Sequence, residues 1–377
     1  MPLTRSDLIS FCCYLLSGLL SYSFCNLCQA SNLQVYNATD SIAVIDVQAV
    51  YYVPYDGEPL LDWRERVDYH MRRIQKFHTR EFDGQSTINY TIYPSPFIAS
   101  ATKLGFPQDD VNRFFWNIVN EVWQSGRLSF DPNAFPIILV FSDNNFSPAY
   151  DDWSRICRVE NCLYPPPHSD CAGFVAQNGE DRPGTRCGGA CSVFWPEKHM
   201  GFGLVTADGW RVPIKGTDCV VYHEGVGHAI GLPHPEPIDN SVMGLAQYVD
   251  SINKAWINND QKLALGWKPS EINNNNLFTQ FEVSHSPTKP SATDSVQIIA
   301  TFPKQTKWKS IRAEIQQALR EPFRQIEPVE ITKHENGFQA RWTIPPIGKN
   351  QSLAYRVRLT TEAGEQEEIW DYFKIRE

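Results

Sequence analysis

The sequence predicts a mixed α/β domain followed by a small all-β sandwich. Three observations carry that prediction. Apolar segments of strand and helix periodicity alternate between residues 42 and 141, as in a sheet layered with helices. After Trp267, the residues Pro269 and Asn273–Asn276 mark a break. Beyond that break the pattern changes to short alternating strands, which read as a sandwich.

The first domain builds up in order. Ile42 to Val53 is rich in Ile, Val and Tyr and ends at Pro54, a strand. Leu60 to Thr79 places Trp63, Val67, Met71, Ile74 and Phe77 at helical spacing. Ser86 to Tyr93 alternates, with Ile88, Tyr90 and Ile92 on one face. Gln108 to Gln124 is helical again, through Val111, Phe115, Ile118, Val119 and Val122. Pro136 to Phe141 is wholly apolar, a strand buried on both faces. From Ser142 to Trp210 periodicity is lost, apart from strands at Gly189–Trp195 and Phe202–Ala207. Thr217 to Ile230 is a helix, with Thr217 as N-cap and Asp218 at the positive helix end. A further helix near Ile257–Leu265 takes Asn259 as its cap.

The second domain spans residues 277–377 and resembles immunoglobulin or fibronectin III sandwiches. Its strands are expected at Gln280–His285, Ser295–Phe302, Ser310–Gln316, Phe338–Ile344, Leu353–Thr360 and Ile369–Ile375. Tyr355, Val357 and Leu359 share one face, to be set against Phe338, Ala340 and Trp342. No paired carboxylates or histidine cluster occur here, so the domain is expected to be accessory.

Composition narrows the function. Of 377 residues, 42% are hydrophobic and 20% charged, which describes a globular chain. The formal net charge is -9, and Lys and Arg form no cluster, so nucleic acid is excluded as a partner. Residues 1–30 read as a signal peptide: Arg5, an apolar stretch from Leu8 to Phe24, then Cys28-Gln29-Ala30 for cleavage. The mature chain is then secreted or extracellular, with the periplasm as an alternative, and carries no membrane span. Its oligomeric state is unspecified.

Six cysteines survive cleavage: Cys157, Cys162, Cys171, Cys187, Cys191 and Cys219. An even number in an oxidising compartment predicts three disulfides of undetermined connectivity. The rival reading is a second zinc site from Cys157, Cys162, Cys187 and Cys191.

The chemistry lies in His223-Glu224-Gly225-Val226-Gly227-His228-Ala229-Ile230-Gly231-Leu232-Pro233-His234. His223 and His228 lie five apart, with Glu224 following the first. Counted as HExxH, they share one helical face about a turn and a half apart, which suits two nitrogens converging on Zn²⁺. Glu224 points at the open coordination position as a proton acceptor. Gly231 and Pro233 stop the helix, and His234 swings back as third ligand. Requiring Gly231 and His234 cuts chance matches about seven hundredfold. Met243 follows nine residues later in the turn-like Asn240-Ser241-Val242-Met243-Gly244.

Together these residues resemble the metzincin clan of zinc endopeptidases. The resemblance implies a zincin catalytic domain over 31–276, with a mixed sheet, helices, an active-site helix and a Met-turn. It implies one catalytic Zn²⁺ held by His223, His228 and His234, with Glu224 as general base. Met243 becomes the Met-turn residue beneath the metal. Pro235 is closest to the serralysin-like branch, but no calcium-binding repeats follow. Leu245 stands where some branches carry a metal-binding Tyr, and no cysteine-switch segment is present.

Two functions follow. The first is a secreted endopeptidase acting on protein or peptide substrates, which lie extended along Gly189–Trp195 or Phe202–Ala207. The second is a non-catalytic, zinc-containing surface-binding or adhesion protein. A calcium ion is also conceivable at Ser142–Asp152, through Asp143, Asn144, Asp151 and Asp152. His70, His78, His168 and His199 lack ligand spacing and are assigned core or solvated roles. Asn37, Asn89, Asn145 and Asn350 head N-x-[ST] sequons.

Overall fold

A computed structural model describes residues 33–106, 111–144, 190–211, 213–246, 250–270, 276–327, 330–334, 337–348 and 351–375. The expected signal peptide, Cys157, Cys162, Cys171, Cys187, Asp151, Asp152, His168, Asn145 and Asn350 lie outside the described residues. No helix among the described residues is long and apolar enough to cross a membrane.

The first unit is a mixed sheet with helices on both faces. Its strands are β1 (Val44–Val53), β2 (Thr87–Ile92), β3 (Phe97–Ile98), β4 (Phe135–Ser142), β5 (Ala190–Trp195) and β6 (Met200–Val205). The order across the sheet is β2-β1-β4-β6-β5, and β3 also pairs with β1. All these pairings are parallel except β5–β6, which is antiparallel. The helices that predicted this layering are α1 (Trp63–Glu81) and α2 (Val111–Gln124).

Period-two alternation sends each strand's side chains to two separate cores. Val47, Ala49 and Tyr51 of β1 join Val67, Met71, Ile74 and Phe77 of α1 on one face. Val50 and Tyr52 face Phe115, Ile118, Val119 and Val122 of α2 on the other. Each fully buried Val, Ile, Met or Phe among them contributes about 1.5–3 kcal/mol. Such double-sided burial explains why Pro136–Phe141 reads as an unbroken apolar run.

The second unit is two antiparallel four-stranded sheets. One has the order β10-β9-β13-β14 and the other β11-β12-β8-β7. The strands are β7 (Glu282–Ser286), β8 (Val296–Pro303), β9 (Trp308–Gln316), β10 (Arg324–Ile326), β11 (Glu330–His334), β12 (Gly337–Ile344), β13 (Ser352–Thr361) and β14 (Gln366–Lys374). Tyr355, Val357 and Leu359 share a core with Ala340 and Trp342, and Phe338 packs against it, as the alternation predicts. The short strands β10 and β11 add to the six expected, and their residues are mostly polar or charged.

The two units are locked together through α1. Arg66 Nη2 donates to Gln316 Oε1 at 2.6 Å, and Arg72 Nη2 to Glu368 Oε2 at 2.9 Å. The Trp370 amide donates to the Tyr69 hydroxyl at 3.1 Å, and Arg356 pairs with Glu65. One side of α1 therefore packs on the sheet and another on the sandwich.

Candidate metal centre

A short α-helix, α3 (Thr217–Tyr222), leads into the histidines. Its N-cap is Gly216, at φ 95°, and not Thr217, whose hydroxyl donates to the Ile214 carbonyl. Asp218 anchors the first turn. Its carboxylate lies 2.9 Å from Arg73 Nη2 and accepts from the amides of Cys219 and Ile252, each at 3.1 Å. Tyr222 ties the last turn to α1, its hydroxyl 2.8 Å from His78 Nδ1.

The sequence expectation of an uninterrupted α-helix to Ile230 fails at His223. A π-helical turn spans His223–Gly227, followed by a 3₁₀ turn at His228–Ile230. The cause is the spacing itself. His223-Glu224-Gly225-Val226-Gly227-His228 is HExxxH, one residue longer than HExxH. On an α-helix five residues sweep one turn plus about 140°, which would send the two imidazoles to different faces. A π turn, closed by a bond from residue i+5 to residue i, absorbs the extra residue and restores the face. The His228 amide donates to the His223 carbonyl in that way.

The turn is seated by glycines at close backbone approaches. A Cβ at Gly203 of β6 would lie 2.8 Å from the Glu224 carbonyl oxygen, and one at Gly227 only 2.2 Å from Met243 Sδ. Met243 is wholly buried beneath the turn. Gly231 then takes φ 82°, as expected, and reverses the chain. Gln261 Nε2 holds the reversed segment through the Pro233 carbonyl at 2.7 Å.

The three histidines predicted as ligands converge. The Nε2 separations are 2.9 Å for His223–His228, 3.1 Å for His223–His234 and 3.2 Å for His228–His234. His223 Nδ1 faces the Val242 carbonyl at 2.9 Å, and His228 Nδ1 faces the Leu232 carbonyl at 2.6 Å. A carbonyl only accepts, so both Nδ1 atoms carry protons and both Nε2 atoms present lone pairs. Lone pairs that close repel unless a cation lies between them. The trio can hold a metal ion. Nitrogens 2.9–3.2 Å apart can all lie 2.0–2.1 Å from a common point, the zinc–imidazole distance. Burial, reinforced by the neighbouring His228 and His234, holds the His223 imidazole well below its usual pKa. It therefore stays neutral and ready to ligate.

Glu224, next in sequence to His223, is half-buried, and its Oε2 accepts a 2.9 Å hydrogen bond from the Ser192 hydroxyl. Ser192 lies on β5 and was not singled out by the sequence. Its place opposite Gly203 comes from strand pairing, which no local sequence signal marks. Of the two strands offered for substrate, β6 is enclosed between β4 and β5, whereas β5 ends the sheet among the described residues.

The remaining candidates separate from this centre. Asp143, a candidate calcium ligand, is buried and paired with Arg211 at 3.0 Å, so its carboxylate is already committed. His70 and His78 are buried, and burial pushes both imidazoles down to about 3. His199 is exposed and bonded to Asp40 at 2.8 Å. Cys191 and Cys219 form no disulfide with each other. The Cys219 thiol is buried, 3.6 Å from the Asp250 carbonyl, and burial, aided by Glu224, pushes the Cys191 thiol up to about 12.

No protein-family model matches the chain, and no curated protein matches it. Among solved structures, it is similar to wild-type OgpA from Akkermansia muciniphila at 11% identity and a TM-score of 0.31, covering 92% of this chain and 96% of that one. It is also similar to CopC from Methylosinus trichosporium OB3b at 12% identity and a TM-score of 0.19, covering 26% of this chain and 93% of that one. Likenesses this loose carry no weight for fold or activity, so the chemistry of the site rests on its own residues.

Proposed function

We propose that this chain is a secreted zinc-dependent endopeptidase of metzincin type. The observation that carries the reading is the convergence of the three Nε2 atoms of His223, His228 and His234, with Glu224 next in sequence to the first of them. Three imidazoles supply three of zinc's four usual positions, and zinc bound there would acidify water and polarise a carbonyl. Glu224 then takes a proton from the attacking water and delivers it to the leaving amine. The backbone carbonyls of Val242 and Leu232 hold His223 and His228 in the ligating tautomer. Met243 fills the floor and keeps the π turn from shifting. A substrate strand would pair with β5, the edge nearest Glu224.

The one-residue departure from the clan's HExxH spacing is compatible with this reading, because the π turn returns His228 to the ligand face. Peptide-library digestion by the zinc-loaded chain, with and without a chelator, tests it. Chelator-sensitive cleavage at internal peptide bonds is the expected result. A zinc-loaded, folded chain that cleaves no protein or peptide would favour the adhesion role instead.

A further inference from the structure

We propose that Ser192 is a positioning residue that sets the carboxylate of Glu224 for proton transfer. The inference rests on the reading of Glu224 as general base and adds to it a residue from a different element.

The register of the sheet produces the contact. β5 pairs antiparallel with β6 so that Ser192 stands opposite Gly203. Directly opposed residues point to the same side of a sheet. That side carries the metal-site turn, because a Cβ at Gly203 would meet the Glu224 carbonyl oxygen at 2.8 Å and the Gly225 Cα at 3.0 Å. The glycine lets the turn's backbone settle on the sheet, and the neighbouring serine reaches past it to the side chain. Alternation along β5 agrees. Ala190 and Phe194 pack with the core on the metal side, and Cys191, Val193 and Trp195 with the core behind the sheet.

A glutamate side chain has three rotatable bonds, so a base on one turn of helix needs an external hold to keep a fixed aim. Among the described residues, the Ser192 hydroxyl supplies the hydrogen bond to that carboxylate, at 2.9 Å on Oε2. It leaves Oε1 for the proton in transit. A hydroxyl both donates and accepts, so Ser192 can keep its bond whether Glu224 is ionised or protonated. An alanine there loses the hold, whereas a threonine keeps the hydroxyl.

The test uses the full chain carrying Ser192→Ala or Ser192→Thr, with two readouts. With zinc loaded, Ser192→Ala is expected to lower kcat on a peptide about tenfold, with KM, zinc content and melting temperature close to wild type. Ser192→Thr should return kcat to within about threefold. In a Glu224→Gln background, Ser192→Ala should cost nothing further, since it acts through the carboxylate. In metal-free crystals, the Glu224 side chain should be ordered in wild type and Ser192→Thr, and spread over rotamers in Ser192→Ala. An unchanged kcat in Ser192→Ala, equal losses in both variants, or an ordered Glu224 in Ser192→Ala overturns the proposal. A wild type without peptidase activity overturns the endopeptidase reading, and the rotamer readout then still decides whether Ser192 orients Glu224.

Discussion

The amide of His228 donates to the carbonyl of His223, closing a π turn between two imidazoles whose Nε2 atoms lie 2.9 Å apart. That bond makes a six-residue HExxxH stretch present the ligand geometry of a shorter motif. The turn is held from below by Met243 and from the side by β6.

Gly227→Ala is expected to disturb the metal site without unfolding the chain. The added carbon would lie 2.2 Å from Met243 Sδ, so the thioether or the turn must move. Overpacking of this kind costs about 1–3 kcal/mol. Zinc affinity, measured by competition with a chromogenic chelator, should fall at least about tenfold. An unchanged affinity would mean that Met243 yields without moving the ligands.

Glu224→Gln should retain one zinc per chain and lose peptide hydrolysis by about a hundredfold or more, because the residue handles protons and is not a ligand. His228→Ala should lose both. Metal content by mass spectrometry alongside peptide turnover separates the two variants. Native-rate turnover by Glu224→Gln would refute the assigned role.

Stability should fall as pH drops from about 6.5 towards 3. His70 and His78 titrate near 3 in the folded chain because they are buried, but near 6.5 when unfolded. In that window the unfolded state binds the extra protons, so each residue gives a slope of about 1.4 kcal/mol per pH unit. Urea midpoints between pH 7.5 and pH 4 would show it, and His78→Gln should reduce the slope. A flat profile would indicate that the histidines are solvated in the native state.

Arg66→Ala should destabilise both units together, by about 3–5 kcal/mol, because it leaves buried acceptors without a donor. Arg66 is 1% exposed and bonds Asp62, the Arg211 carbonyl and Gln316 at once. One cooperative transition at a lower temperature is expected in calorimetry. Two separated transitions would show that the units unfold independently.

Much of this was legible because burial writes itself as period. The strands at 44–53 and 135–142, helix α1, and the inward face of Tyr355, Val357 and Leu359 follow from apolar spacing alone. The π turn was not legible as geometry, although its cause was in plain sight: the count from His223 to His228 is five, and helical periodicity cannot accommodate that. Strands β10 and β11 escaped because edge pairing places no apolar demand on Arg324–Ile326 or Glu330–His334. Ser192 escaped because its importance depends on a register across to Gly203, a relation no local pattern encodes.

Helix α1 is an internal wall, not an outer layer. It touches the metal-site segment through Arg73–Asp218 and His78–Tyr222, and the sandwich through Arg72–Glu368 and Tyr69–Trp370. The break in sequence near residue 276 is therefore no seam in space. Transplanting residues 31–276 into another scaffold would open a charged, aromatic wound along α1, so the portable unit of this site is the whole chain through β14.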